Sequence, residues 1–154
     1  MEVQQANSYL LQHVSSIIDR QLDQILQEQL GIGQSQAKII HILRTQQEVT
    51  QRRLADSLGQ TEASVSRQIK ILLSRGLLTS QTNPKSRREH SIVLTAKGIK
   101  ISEAAQAVAD RYTQSLFDGL SEKGQTHLME VLVRMHAITC QAGKLTACDH
   151  PYAL

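Results

Sequence analysis

A chain of 154 residues, 40% hydrophobic and 20% charged, is long enough to form one domain that buries roughly two-thirds of its unfolded surface. That composition excludes a disordered chain, and no run approaches the ~18 consecutive apolar residues of a spanning helix. The net charge is only +3, yet residues 50–100 hold ten Lys or Arg against three acids, a local +7 that leaves −4 for the rest.

In chain order, residues 8–29 read as an amphipathic helix. Leu11, Val14, Ile18, Leu22 and Ile25 recur at three- and four-residue steps, with Leu10, Ile17 and Leu26 widening the stripe. Leu30-Gly31-Ile32-Gly33 stops it. Gly33 then serves as the next N-cap, with Gln36 completing an imperfect capping box, and a second helix runs to about Gln46 on a face of Ala37, Ile40 and Leu43. Thr50 caps a third helix to Leu58, Gly59 breaks it, and Thr61 caps a fourth that reaches Arg75, with Gly76 as its C′ residue. The period then falls to two. Leu78, Ser80 and Thr82 alternate with Leu77, Thr79 and Gln81, and Ile92 and Leu94 alternate with Ser91 and Val93. Around Asn83-Pro84 this makes a β-hairpin. Thr95 caps a fifth helix whose stripe is Ile101, Ala105, Val108, Tyr112 and Leu116, continuing to Leu120. Ser121 opens a sixth, with Leu128, Leu132, Met135 and Ile138 or Thr139 facing inward, and the tail from Gly143 reads as frayed.

Residues 51–70 carry the sharpest local signal. Two short helices joined by a Gly-containing turn form a helix-turn-helix, with Leu54, Leu58, Val65, Ile69 and Leu72 as the shared core and Ala55 where the backbones approach. Ser64, Ser66, Arg67, Gln68 and Lys70 remain for the outer face of the second helix. These types suit a major groove: Arg grips guanine O6 and N7, Gln pairs with adenine, and Ser reaches bases or phosphate. The helix N-terminus at Thr61 turns N–H groups and a positive dipole toward phosphate. The hairpin tip, Lys85-Ser86-Arg87-Arg88, is a basic loop shaped to enter the adjacent minor groove. Taken singly, each of these Arg residues also reads as an ordinary solvated surface residue.

With these strings in hand, the chain resembles the MarR family of multiple-antibiotic-resistance-type regulators over about residues 8–140. The matching residues are Thr50-Gln51-Arg52-Arg53-Leu54-Ala55, Leu58-Gly59, Val65-Ser66-Arg67, Leu72, Arg75-Gly76-Leu77, Asn83-Pro84, Arg87-Arg88, Leu94-Thr95 and Lys97-Gly98. The resemblance implies a mainly α winged helix-turn-helix fold of six helices plus a two-stranded wing. It places Ser64, Ser66, Arg67 and Lys70 on the helix that reads the major groove and Arg88 at the wing tip in the minor groove, with Arg87 and Lys85 on the backbone. Two positions depart from the family pattern. Ser86 stands where an Asp usually orients the wing Arg, and Gln60 stands where a buried aliphatic is common.

The stripes of the first, fifth and sixth helices are wider than one wing-sized domain can cover, which points to a homodimer. The expected organisation is a dimerisation helix in 1–32, the winged helix-turn-helix in 33–98, and dimerisation helices with a tail in 99–154, together one compact unit. Two reading helices then sit one DNA turn apart on a pseudo-palindromic operator. The expected function is a double-stranded DNA-binding transcription regulator, a repressor relieved by a small molecule. The family implies a small aromatic or phenolic effector in a cleft for which His13, Asp19, Arg20, His41 and Arg44 are the candidates; each reads equally as a solvated helix position. No Trp and a single Phe argue against an aromatic-rich pocket.

Cys140 and Cys148, beside His136 and His150, are too few for a disulfide scaffold and match no zinc spacing. A Cys-based redox or metal-responsive regulator is the alternative they leave open, and a winged-helix protein-interaction module without DNA binding is another. The first five residues lack the layout of a secretory signal, so the expectation is a cytoplasmic protein with reduced thiols and no membrane partner. No nucleophile elbow, phosphate loop or HExxH motif is present, so neither an enzyme, a cofactor nor a bound metal is expected.

Overall fold

The computed structural model describes residues 3–46, 49–83 and 86–140, with the backbone alone for 82–91. In chain order it comprises α1 (Val3–Leu30), α2 (Gln34–Thr45), α3 (Gln51–Leu58), α4 (Glu62–Ser74), β1 (Leu78–Asn83), β2 (Ser86–Leu94), α5 (Ala96–Phe117) and α6 (Glu122–Thr139). These are the six helices and hairpin that the periodicities predict. α1 is already helical at Val3, five residues before the expected start at Ser8, because residues 3–7 contain neither Gly nor Pro to interrupt it. α5 ends at Phe117, and the residues to Leu120 form a turn before Ser121 caps α6.

The helix starts follow from side-chain capping. Thr50 Oγ1 accepts the Arg53 N–H at 3.2 Å, Thr61 Oγ1 accepts that of Ser64 at 3.2 Å, and Ser121 Oγ accepts that of Gly124 at 3.1 Å. Thr95 does the same for α5, taking the Gly98 N–H at 3.0 Å. α3 stops at Gly59, whose φ of +61° is the left-handed conformation that glycine adopts without strain.

Two compact units divide the chain, Met1–Asp110 and Arg111–Leu154, and α5 runs across their boundary. The core lies in the first unit. Leu26 of α1, Ile32 of the following turn, Ile39 and Ile40 of α2, Leu54 and Ala55 of α3, and Val65, Ile69 and Leu72 of α4 are buried together. Leu77, Leu78, Ala105 and Val108 complete the cluster. Leu58, read as core, is only partly buried and packs against its edge. Gly98 allows the hairpin base and α5 to meet, since a Cβ at this position would land on the Leu77 carbonyl. Along α1 burial rises toward the C-terminal end: Leu10, Leu11 and Val14 are exposed, Leu22 and Ile25 are partly buried, and Leu26 is sealed.

The two strands pair antiparallel from Leu78↔Leu94 to Thr82↔His90, and the register then shifts to Asn83↔Ser86. Arg87, Arg88 and Glu89 therefore occupy the irregular stretch at the tip of β2, where no register partner on β1 is assigned. Pro84 and Lys85 lie outside the described residues, as do Cys148, His150 and the tail from Gly143.

In the second unit no described residue is buried. The inward face predicted for α6 is therefore not inward in this chain: Leu128, Leu132, Met135 and Ile138 are all exposed, Ile138 at 72%. The apolar repeat is present, but none of its residues is buried among the described residues. No helix among the described residues is long and apolar enough to cross a membrane.

Candidate nucleic-acid interface

The helix-turn-helix is built by α3 and α4, with α2 packed behind both. Val65, Ile69 and Leu72, spaced by four and three residues, fix one side of α4 to the core. Their burial turns the opposite side to solvent. Arg67 and Lys70 are exposed there, together with Ala63 and Ser74, and Ser66 is half-buried on the flank. At its start Thr61 is exposed and satisfies one of the orphan N–H donors of the first turn, while Glu62 places a carboxylate beside the same turn. Ile71, at 42% exposure, is a large apolar side chain on this outer side that the sequence reading did not single out.

Two of the predicted contact residues are engaged inside the fold. Gln68 is half-buried, and its Oε1 accepts from Gln36 Nε2 of α2 at 2.9 Å. An amide held this way keeps a second lone pair on its oxygen and both N–H donors, while the bond to α2 restricts how the side chain can turn toward a base. Ser64 Oγ lies 3.5 Å from Gln60 Oε1, and Gln60 Nε2 donates to Ser35 Oγ at 3.0 Å. Gln60, noted as a polar departure from the family pattern, thus links the start of α2 to the start of α4. Arg87 and Arg88 are placed by backbone only, on β2 at the wing tip, and Lys85 lies outside the described residues.

Three of the five effector candidates make side-chain contacts with separate neighbours. His13 stacks on Tyr9 with ring centroids 5.5 Å apart, Asp19 faces Gln34 and Lys38 of α2, and Arg44 meets Glu103 of α5 at 3.5 Å. Arg20 and His41 are exposed. None of these contacts joins one of the five to another. At the end of α6, Cys140 is half-buried and its backbone N–H donates to the His136 carbonyl at 2.8 Å. Among the described residues no group of three or more His, Cys, Asp or Glu is placed to hold a metal ion.

Residues 32–90, which span α2 to the wing, match the model of the MarR family. A mutant of S. aureus MepR bound to an oligodeoxyribonucleotide is 30% identical over 84% of this chain and 94% of that one, with a TM-score of 0.58. The chain belongs to the MarR family. The uncharacterized HTH-type transcriptional regulator YdgJ of Bacillus subtilis (strain 168) is 26% identical over 127 residues, covering 82% of this chain and 75% of that protein. A MarR/EmrR family transcriptional regulator from Acinetobacter sp. ADP1, 20% identical, shares the fold with a TM-score of 0.73 over 88% of this chain and 96% of its own. In this MarR-family chain the winged helix-turn-helix is α2, α3, α4, β1 and β2, with α5 packed on its base.

Sequence reasoning missed Asp23, which positions the start of α2, and assigned Gly31 and Gln36 only to ending α1 and capping α2, not to their bonds with Arg75 and Gln68. The doubled glycine of Leu30-Gly31-Ile32-Gly33 was the available signal, because such a turn usually makes room for another group.

Proposed function

We propose that this protein is a transcription regulator that binds double-stranded DNA as a homodimer, seating α4 in the major groove and the wing over the adjacent minor groove. The observation that carries this reading is the two-sidedness of α4. Val65, Ile69 and Leu72 lock one side, and Arg67 and Lys70 stand exposed on the other, within a segment of local charge +7. Arg67 reads a base edge, Lys70 holds phosphate, Ser64 and Ser66 contact base or backbone, and the first turn at Thr61 faces phosphate. Gln68 meets a base edge with its amide N–H and the remaining lone pair of its oxygen. Arg88 enters the minor groove, and Lys85 and Arg87 hold its phosphates.

Residues 1–32 and 99–154 pair the two chains, which covers the exposed apolar residues of α1 and α6, and residues 33–98 meet the operator. A pseudo-palindromic site with half-sites one helical turn apart follows from that symmetry. Occupancy of a promoter makes the protein a repressor, and a small effector relieves it by binding better to a conformer with a different spacing of the two reading helices. The family supports a cytoplasmic regulator rather than an enzyme.

Selection of bound sequences from a random duplex pool, followed by binding at graded salt, tests this. A symmetric motif is expected, with affinity falling about 10³–10⁵-fold between 50 and 200 mM salt for roughly 6–10 neutralised phosphates. Indifference to every duplex in dilute buffer overturns the reading and leaves a protein-interaction module in its place.

A further inference from the structure

The turn between α1 and α2 is held from both sides by side chains for which the DNA-contact reading has no use. From α1, Asp23 Oδ1 accepts the Gln34 backbone N–H at 2.7 Å, and Asp19 Oδ1 accepts Gln34 Nε2 at 2.7 Å. Asp23 thereby caps α2 from eleven residues upstream. Gly33, the residue at the capping position itself, has no side-chain oxygen to offer. A Cβ there would approach Asp23 Oδ1 to 2.9 Å, so the glycine leaves room for the carboxylate. The negative charge also faces the positive end of the α2 dipole.

From the other side, Arg75 at the C-cap of α4 donates through Nη1 to the Gly31 carbonyl. Its own carbonyl accepts Lys97 Nζ at 3.0 Å, and Thr95 Oγ1 donates to the neighbouring Gly76 carbonyl at 2.7 Å. The C-cap residue of the reading helix is therefore bonded both to the turn that ends α1 and to the first turn of α5.

We infer that Arg75 is a positioning residue which, with Asp23 on the far side of the same turn, fixes the direction of α4 relative to the ends of α1 and α5. The inference rests on the DNA-binding reading above, in which α1 and α5 belong to the parts that pair the two chains. A joint between those helices and α4 sets the separation of the two reading helices. It contributes only when both half-sites are engaged together, whereas loss of a residue that touches DNA also weakens binding to a single half-site.

The full-length protein distinguishes these cases with two duplexes: the sequence selected from a random pool, and the same sequence with one half-site scrambled. Wild type prefers the intact duplex. Arg75→Ala is expected to reduce that preference about tenfold and to change affinity for the single half-site by no more than about twofold, with helix content and dimer mass unchanged. Asp23→Ala moves the preference in the same direction, and Asp23→Asn, which keeps the Oδ1 acceptor, restores it. Arg75→Lys, which keeps the charge but lacks the fork that reaches Gly31, provides the same measurement should the alanine variant not fold. Weakened binding to the single half-site, or an unchanged preference, overturns the joint while leaving DNA binding intact. Indifference of the wild type to both duplexes overturns the DNA-binding reading, and the joint with it.

Discussion

The unit Met1–Asp110 and the unit Arg111–Leu154 are written in the same amphipathic grammar and use it differently. In the first, the stripe of α4 (Val65, Ile69, Leu72) is covered by α2 and α3 of the same chain, and all thirteen hydrophobic residues that are buried among the described ones lie in this unit. In the second, α6 repeats apolar residues at helical spacing over 18 residues and buries none. Leu128, Met129, Val131, Leu132, Met135 and Ile138 all remain exposed. A hydrophobic period specifies that a helix face must be covered. It does not specify whether this chain or another copy covers it.

That contrast can be broken by paired substitutions of similar chemistry. The largest expected effect on folding is Ile40→Ala in α2, where the side chain is 0% exposed. A loss of about 2–5 kcal/mol is expected, measured by denaturant unfolding of the isolated protein. Its counterpart is Leu132→Lys in α6, 40% exposed. Helix content should survive, while sedimentation shifts from two chains to one and the midpoint of unfolding no longer rises with protein concentration. Equal loss of helix in both variants would erase the distinction between the units.

Gly98→Ala sharpens the comparison inside the first unit. The new methyl meets the Leu77 carbonyl and the Leu94 side chain, so about 1–3 kcal/mol of stability should be lost without change in assembly. Arg67→Ala addresses the outer side of α4. Unfolding should shift by no more than about 0.5 kcal/mol, and duplex affinity should fall by about 1–3 kcal/mol with relaxed preference at one base position. The smallest effect is expected for Thr61→Ala, which removes the oxygen accepting the Ser64 N–H and should cost about 1 kcal/mol of stability.

Several features of the molecule are legible from neighbouring residues alone. Thr50, Thr61, Thr95 and Ser121 cap the helices they were expected to cap, because a short hydroxyl side chain bonds an N–H three residues ahead whatever the rest of the fold does. Gly59 ends α3 for an equally local reason, its positive φ. The outer side of α4 was legible too, since Arg67 and Lys70 are what remains once the apolar positions face inward. The commitment of Gln68 to Gln36 was not legible, because the partners stand 32 residues apart and the bond exists only when α2 crosses α4 at this position.

Sequence by itself determined the number, type and caps of the helices, the hairpin, and the face of α4 that turns outward, since each is set within a few residues by period, capping or steric freedom. Tertiary structure alone decided that Asp23 caps α2 across Gly33, that Arg75 grips the turn at Gly31, and that the α6 stripe stays exposed among the described residues. These depend on where distant segments come to lie, and no local pattern encodes the direction in which the chain returns after a turn.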